Sequence, residues 1–164
     1  MSGIFYILIA IIAFVCMEGV AWFAHKYIMH GFLWSLHKDH HKPGESFFEK
    51  NDFFFLIFAI PGWLCIQFGW QAETWWVVSI GIGITIYGLA YFLVHEIIIH
   101  QRFKFFTKSH NRYIRAIRWA HKMHHRHLNK EDGESFGMLF VAKKYRDKIK
   151  RDEQIKHTSS RFTN

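Results

Sequence analysis

The sequence has few of the residues that build a disulfide framework or an iron–sulfur site. It contains two cysteines, Cys16 and Cys65, both inside apolar runs. Such cysteines fit packing in apolar surroundings better than a disulfide or a metal pair. The chain also lacks a glycine-rich dinucleotide fingerprint and shows no flavin site. Any redox chemistry at this protein must therefore draw its electrons from outside.

Charged residues are almost absent from three long apolar runs. Residues 3–24 contain one charge, Glu18, while residues 53–70 and 75–94 contain none. As a helix, the first run would reach about 33 Å, enough to cross a hydrocarbon core of about 30 Å. A soluble protein with buried helices is the alternative, but three such runs would leave it too little polar surface. The pattern predicts an all-α integral membrane protein with about three transmembrane helices, the last two forming a hairpin.

Lysine and arginine lie on one side of the predicted spans. None occurs before Lys26 or between Lys50 and Arg102. Cytoplasmic loops of membrane proteins carry an excess of these residues, so the regions 25–50 and 95–142 are predicted to be cytoplasmic. The N-terminus and the turn of the hairpin would then lie on the far side of the membrane.

The formal net charge of +8 has two ordinary explanations. Nucleic-acid binding calls for a basic surface without spans and is disfavoured, whereas attraction to anionic lipid accounts for the charge simply. A cleaved signal peptide is disfavoured for the first run, because no basic residue precedes it and no small-residue cleavage pattern follows it. Residues 1–164 are therefore interpreted as one membrane domain with a polar tail at 143–164.

Ten of the thirteen histidines fall into four groups with repeated spacings. The pair His25/His30 recurs as His95/His100, and a triplet spaced i, i+3, i+4 also occurs twice. The letters "GES" follow each triplet, and the repeat reflects either an approximate duplication or convergent ligand needs. The triplets are His37, His40, His41 and His121, His124, His125.

These spacings predict a metal site. On an α-helix, positions i, i+3 and i+4 share a face, so each triplet can direct three imidazoles at one cavity. The i, i+5 pairs do not share a face of a regular α-helix, so either their members serve different metals or the helix widens into a π-turn. At about four to six ligands per ion, ten donors predict two metals. A histidine pH sensor would not need this arrangement, and a metal transporter would place its site near the membrane midplane.

Four residues are candidates for supporting the ligands. Glu18 lies two helical turns before His25 and is predicted to accept the second N–H of a ligand imidazole. Tyr87 and Tyr91 lie along one helical stripe that leads toward the site, although aromatic packing explains them equally well. Asn51 is the fourth candidate, with capping of the second span as its alternative role.

Other polar residues near the groups are placed outside the site. Asp39 and Glu96 adjoin predicted ligands but are expected to turn to other faces of their helices. His110, His127 and His157 stand apart from the groups and are left out of the ligand set.

The region after the third span alternates basic and apolar residues. Residues 110–127 are predicted to form an amphipathic helix at the membrane surface. Residues 143–164 are predicted to form a solvated helix with a frayed end.

Several short stretches resemble the bacterial β-carotene hydroxylases, within the fatty acid hydroxylase superfamily of membrane di-iron proteins. They are "HKYIMHG", "FFEKND", "YFLVHEIIIHQR" and "AHKMHH" followed by "ESFGMLF". The resemblance implies two irons and a reaction in which dioxygen and two external electrons insert one oxygen atom at carbon 3 of a β-ionone ring. The products would be β-cryptoxanthin and then zeaxanthin. The implied iron ligands are His25, His30, His37, His40, His41, His95, His100, His121, His124 and His125.

The resemblance also implies partners and a location. A carotenoid would enter from the bilayer past an apolar wall that could include Phe53, Phe54, Phe55, Tyr87 and Tyr91. No residue beyond the metal ligands is assigned as catalytic. An external donor, expected to be a ferredoxin with its reductase, would be steered by the basic cytoplasmic face.

The histidine site would lie on the cytoplasmic side of the bacterial inner membrane. Zinc could replace iron in an overproduced sample. A lipid or sterol hydroxylase or desaturase of the same superfamily is the alternative function, because the same ligands would serve it.

Overall fold

The computed structural model describes residues 2–42, 48–104 and 107–162. The described residues are mostly helical, with the longest described non-helical connection at 126–142, and they contain no strand, in agreement with the predicted all-α fold. The α-helices are α1 (Gly3–Phe23), α2 (Trp34–His37), α3 (Phe53–Gln71), α4 (Trp75–Tyr91), α5 (Arg112–His125) and α6 (Lys143–Phe162).

Three helical stretches are long and apolar enough to cross a membrane. They cover Gly3–Phe32, Lys50–Gln71 and Trp75–Ile99. Each contains one of the three predicted spans, and the first and third extend beyond the prediction at the ends that carry histidine pairs. The structure thus describes a membrane protein whose histidines lie at and beyond the ends of its spans.

Helix α4 packs between α1 and α3, and two glycines allow the close approach. A β-carbon at Gly81 would lie 2.7 Å from the carbonyl oxygen of Gly62 in α3. A β-carbon at Gly83 would collide with the carbonyl oxygen of Ala10 in α1. The outward faces of these helices carry exposed large apolar side chains, as expected for surfaces that contact lipid rather than water.

Two π-helical segments continue the first and third spans. They are Ala24–Phe32, after α1, and Phe92–Ile99, after α4. The first contains His25 and His30, and the second contains His95 and ends just before His100, whose backbone N–H donates to the His95 carbonyl at 2.9 Å. In a π-helix the backbone bonds run from i to i+5, so residues five apart lie on the same side. Of the two explanations that the sequence left open, the structure therefore supports the widened helix, and both members of each pair face the same group of histidines.

Helices α5 and α6 cover the histidine region. Helix α5 begins after Asn111, whose side chain accepts hydrogen bonds from two backbone N–H groups of the first turn, and it buries Ala116 and Ala120. Helix α6 packs on α5 through the buried Tyr145 and Ile149. The solvated helix expected at 143–164 is thus helical through Phe162, but one of its sides is buried against α5.

Candidate metal centre

Nine of the ten histidines predicted as ligands form two adjacent clusters, and the tenth borders one of them. In each cluster, one ligand nitrogen from every member lies within 4.8 Å of those of the other members. His125 lies at the edge of the second cluster, with its Nε2 2.7 Å from the Nε2 of His121. The first cluster contains His25, His30, His37, His41 and His124, and the second contains His40, His95, His100 and His121.

Each histidine triplet is divided between the two clusters. His37 and His41 belong to the first cluster, while His40 belongs to the second. The second triplet shows the reverse division, because His124 reaches the first cluster and His121 the second. The expectation that each triplet converges on one cavity was wrong. In α5, positions i and i+4 differ by only about 40° around the helix, whereas i+3 lies about 60° to the other side. In the first triplet α2 ends at His37, and His40 and His41 follow in a turn.

In the first cluster, every Nδ1 donates to an uncharged oxygen. The acceptors are the Phe136 carbonyl for His25 at 3.0 Å and the Asn51 side chain for His37 at 2.6 Å. The carbonyls of Lys130, His127 and Glu134 accept from His30, His41 and His124. A carbonyl oxygen cannot donate a proton, so Nδ1 is the protonated nitrogen and Nε2 of each neutral ring is an acceptor only.

The resulting Nε2 atoms lie close together with no proton to share. His37 Nε2 lies 3.1 Å from His25 Nε2 and 3.2 Å from His41 Nε2, and the His30 and His124 Nε2 atoms are 3.3 Å apart. Facing lone pairs repel each other unless a cation lies between them. A metal–nitrogen bond of about 2.1 Å places neighbouring ligand nitrogens roughly 3.0 to 3.4 Å apart, so these distances fit a metal ion.

The second cluster is held by carboxylates. His40 Nδ1 lies 2.7 Å from Glu49 Oε2, and His95 Nδ1 lies 2.6 Å from Glu96 Oε1. Arg102 lies 3.0 Å from Glu96 and 3.8 Å from Glu49, and it also pairs with Asp52. The Nε2 of His40 is buried without a hydrogen-bond partner among the described residues, as expected for a nitrogen that faces a metal position.

Burial keeps the imidazoles that lie outside the spans neutral and therefore able to bind a metal. It lowers the pKa of His37 to about 2, with the Asn51 hydrogen bond opposing it, and lowers that of His41 to about 4. Burial also lowers the pKa of His125 to about 3, with neighbouring imidazoles adding to the effect. Burial raises the pKa of the Glu49 carboxyl to about 7 against the pull of Arg102.

The four predicted supporting residues have different outcomes. Asn51 contacts the ligand His37, while Tyr91 stacks on His95 with ring centroids 4.8 Å apart. Tyr87 is almost fully buried, and its hydroxyl donates to Glu18 rather than to a histidine nitrogen. The prediction that Glu18 accepts an N–H from a ligand imidazole was wrong, because its oxygens accept from Tyr87 and from backbone N–H groups near residue 139.

Several contacts of the ligands were not predicted. Glu96 was expected to turn away, yet it accepts from His95 because the two adjacent side chains meet where the helix is widened. Glu49 and Arg102 had no periodic signal, although both lie in the stretches that carry the family resemblance. Asp39 does turn away, accepting from the backbone of Lys50.

The histidines outside the groups do not enter either cluster. His110 is exposed, and His127 contributes its backbone carbonyl rather than its ring. The side chain of His157 lies outside the part of the chain that the structure describes.

A mostly apolar cavity of about 290 Å³ reaches the first cluster. Of the predicted wall residues, Phe54, Phe55, Tyr87 and Tyr91 line it, whereas Phe53 does not. The ligand His25 also forms part of its wall. Buried histidine clusters beside an apolar cavity are suited to oxidative chemistry on an apolar molecule, with the reacting carbon held near the metal positions.

The family model of the fatty acid hydroxylases matches residues 10–145. This chain belongs to the fatty acid hydroxylase family. The match covers all ten histidines predicted as ligands, the residues that hold them and most of the cavity wall. The hydroxylase is therefore an enzyme of the membrane type that the histidine pattern predicted.

Named relatives indicate which members of the family the chain is similar to. The hydroxylase is 41% identical over 136 residues to the β-carotene hydroxylase of Pseudescherichia vulneris, covering 83% of this chain and 77% of the relative. It is 41% identical over 141 residues to the β-carotene hydroxylase of Pantoea ananas, covering 86% and 80%. The chloroplastic β-carotene 3-hydroxylase 2 of Arabidopsis thaliana is 34% identical over 152 residues, covering 91% of this chain and 49% of the relative. No solved structure matches the chain.

Proposed function

We propose that this hydroxylase is a membrane β-carotene 3-hydroxylase that carries two irons. The observation that carries the proposal is the placement of a ligand histidine, His25, on the wall of an apolar cavity, together with the identity to bacterial β-carotene hydroxylases. The products would be β-cryptoxanthin and then zeaxanthin.

The two histidine clusters would hold the irons, one in each. When bound, the irons would supply the reduction of dioxygen by two external electrons and the insertion of one of its oxygen atoms at carbon 3 of the β-ionone ring, while the other oxygen atom is released as water. The hydrogen bonds to each Nδ1 fix the imidazole tautomer and the direction of Nε2. The buried clusters exclude bulk water, which protects reactive species from side reactions.

The cavity offers a route from lipid to the site. Phe55 and Phe92 both line it, and they are 55% and 39% exposed on the apolar surface of the helices. The cavity therefore borders the face that contacts lipid, where β-carotene dissolves. The volume of about 290 Å³ is too small for the whole polyene, so one ring would enter while the rest of the chain stays in the bilayer.

The orientation and the electron donor follow from charge. Basic residues are absent from the chain before Lys26 and between Lys50 and Arg102, which favours a cytoplasmic position for the histidine clusters. An acidic ferredoxin would approach that basic face by complementary charge. Electron delivery should then weaken strongly between low and high salt, and a salt-independent rate would contradict this docking mode.

The experiment that tests the function uses cells that accumulate β-carotene. Expression of the intact chain should convert β-carotene to β-cryptoxanthin and zeaxanthin, separated by chromatography. A metal-loaded protein that leaves β-carotene unchanged while hydroxylating or desaturating a lipid or a sterol would support the alternative function instead.

A variant of the cavity wall tests the proposed route of the substrate. A β-carbon at Gly88 meets no atom within 4 Å, and Gly88 lines the cavity, so Gly88→Trp should fill the cavity without disturbing the helix. We expect at least a roughly tenfold loss of hydroxylation with metal content unchanged. Gly19→Trp is the matched control, because Gly19 is exposed with equally open space. Equal activity of the two variants would contradict the route.

A further inference from the structure

Glu18 is a buried acid within the first membrane span, and each of its oxygens has a partner. Oε1 accepts backbone N–H groups from Met138 at 2.9 Å, Leu139 at 2.8 Å and Phe140 at 3.2 Å. Oε2 accepts the Tyr87 hydroxyl at 2.8 Å. An acid within a span is costly and is retained where it has a specific partner. Its main partner here is a segment more than a hundred residues away in sequence.

That segment, residues 134–140, is named the strap. It contains no helix, so its position depends on contacts with the rest of the molecule. Two of its carbonyls orient ligands of the first cluster, since Phe136 accepts from His25 and Glu134 accepts from His124. The side chains of Phe136 and Met138 also line the cavity. The strap therefore joins the metal centre to the wall of the cavity.

We propose that Glu18 is a positioning residue that sets the first histidine cluster and the cavity wall through the strap. The three N–H groups bound to Oε1 follow directly after the two carbonyls that orient the ligands. If the N–H groups of residues 138–140 lose their acceptor, the carbonyls of Glu134 and Phe136 are no longer held in place. The imidazoles of His124 and His25 then lose the hydrogen bonds that fix their tautomer and direction. The second cluster has no hydrogen bond to the strap among the described residues and would be spared.

The proposal rests on the proposed dimetal function, and it predicts a local effect. If Glu18 served only to hold the helices together, its loss would destabilise both clusters alike. If it acts through the strap, the first cluster and the cavity change while the second cluster keeps its metal.

The variants separate loss of the hydrogen bonds between Glu18 and the strap from loss of the negative charge of Glu18. Glu18→Ala removes the acceptor of the three N–H groups. Glu18→Asp keeps the charge but shortens the side chain, while Glu18→Gln keeps an oxygen in the position of Oε1 and should rescue. Ser79→Ala is the control, because Ser79 is buried in α4 and its hydroxyl donates to the carbonyl of Trp75 in the same helix.

Two readouts do not depend on turnover. Hydrogen exchange of the amides at 138–140 should speed up at least about tenfold in Glu18→Ala and Glu18→Asp, and by less than about threefold in Glu18→Gln and Ser79→Ala. Metal analysis after exposure to a chelator should show loss of roughly one ion per chain in the first two variants. At saturating metal, the same two variants should raise KM for the carotenoid, because the strap forms part of the cavity wall.

These outcomes decide whether Glu18 holds the strap in place. Unchanged exchange at 138–140 in Glu18→Asp, or equal loss of both metals with the strap still protected, would overturn the proposal. If Glu18→Ala fails to accumulate in the membrane, Glu18→Asp and Glu18→Gln still decide it. If the variants change hydrogen exchange at 138–140 as expected but the unsubstituted protein leaves β-carotene unchanged, the role of Glu18 is supported and the proposed function is refuted.

Discussion

The two histidine clusters have similar ligands and different supports. Each takes an i, i+5 pair from within or directly after a π-helical segment, members of the adjacent triplet, and one i+3 histidine from the other half of the chain. Yet the first cluster is held by carbonyl and amide oxygens, whereas the second is held in part by the carboxylates of Glu49 and Glu96. The approximate repeat is thus present in the ligands and absent from the groups that support them.

The difference predicts unequal metal sites. A carboxylate that accepts the Nδ1 proton makes the imidazole a stronger donor than a neutral carbonyl does. The ion pair of Glu96 with Arg102, at 3.0 Å, keeps this carboxylate charged and in place. We therefore expect a chelator to remove metal from the first cluster faster than from the second.

The largest effect should come from the histidines that cross between the halves. His40→Ala or His124→Ala should each remove a ligand from the cluster opposite its own triplet, with loss of about one metal per chain and at least a roughly hundredfold fall in hydroxylation. Elemental analysis and product formation measure the two effects. His110→Ala is the control, because His110 is exposed and belongs to neither cluster. Full activity of His124→Ala would contradict the division of the triplets.

Removing the carboxylates should make the clusters more alike. Glu96→Gln and Glu49→Gln should each weaken metal binding at the second cluster by about 10- to 100-fold while the first cluster is unchanged. Chelator titration followed by elemental analysis measures the affinity. Asp147→Asn serves as the control, because Asp147 is an exposed acid of α6 that forms an ion pair with Lys143. Equal weakening of both clusters would show that the carboxylates act on the fold rather than on their ligands.

Acid should destabilise the metal-free protein through both clusters. The folded-state pKa is about 2 for His37, about 4 for His41 and about 3 for His125, all below the unfolded value of 6.5. The stabilisation is therefore complete above pH 6.5 and is lost as the pH falls below it, by about 1.4 kcal/mol per pH unit for each such histidine.

Thermal unfolding in detergent between pH 7.5 and pH 5 measures the loss. The metal-loaded protein should resist until acid releases the ions. A melting temperature of the metal-free protein that stays constant down to pH 5 would contradict burial of the neutral imidazoles.

The smallest effect should come from giving the first cluster a carboxylate. Asn51→Asp places a charged acceptor 2.6 Å from His37 Nδ1, in imitation of the second cluster. We expect the first metal to leave a few-fold more slowly, so that the two phases of chelator release approach each other. Asn51→Ala should shift the same phase in the opposite direction. If both variants release metal alike, the charge of the acceptor has no role.

Much of this architecture could be predicted from the sequence, because the bilayer and the helix impose simple periods. The three apolar runs predicted the spans, and the repeated spacings identified the nine histidines of the clusters and His125 beside them. The division of each triplet could not be predicted, since it depends on how α5 lies against the first half of the chain. The partners of Glu18 were missed because backbone N–H groups carry no sequence signal. Glu96 was missed because its direction depends on the local widening of the helix.

The crossing of His40 and His124 has a consequence for biogenesis. Neither half of the chain contains all the histidines of either cluster, so the first half of the nascent chain could not complete a metal site alone. Insertion of all three spans and docking of α5 would have to come first. Acquisition of the proposed metals would therefore be a late event that requires both halves to be joined correctly.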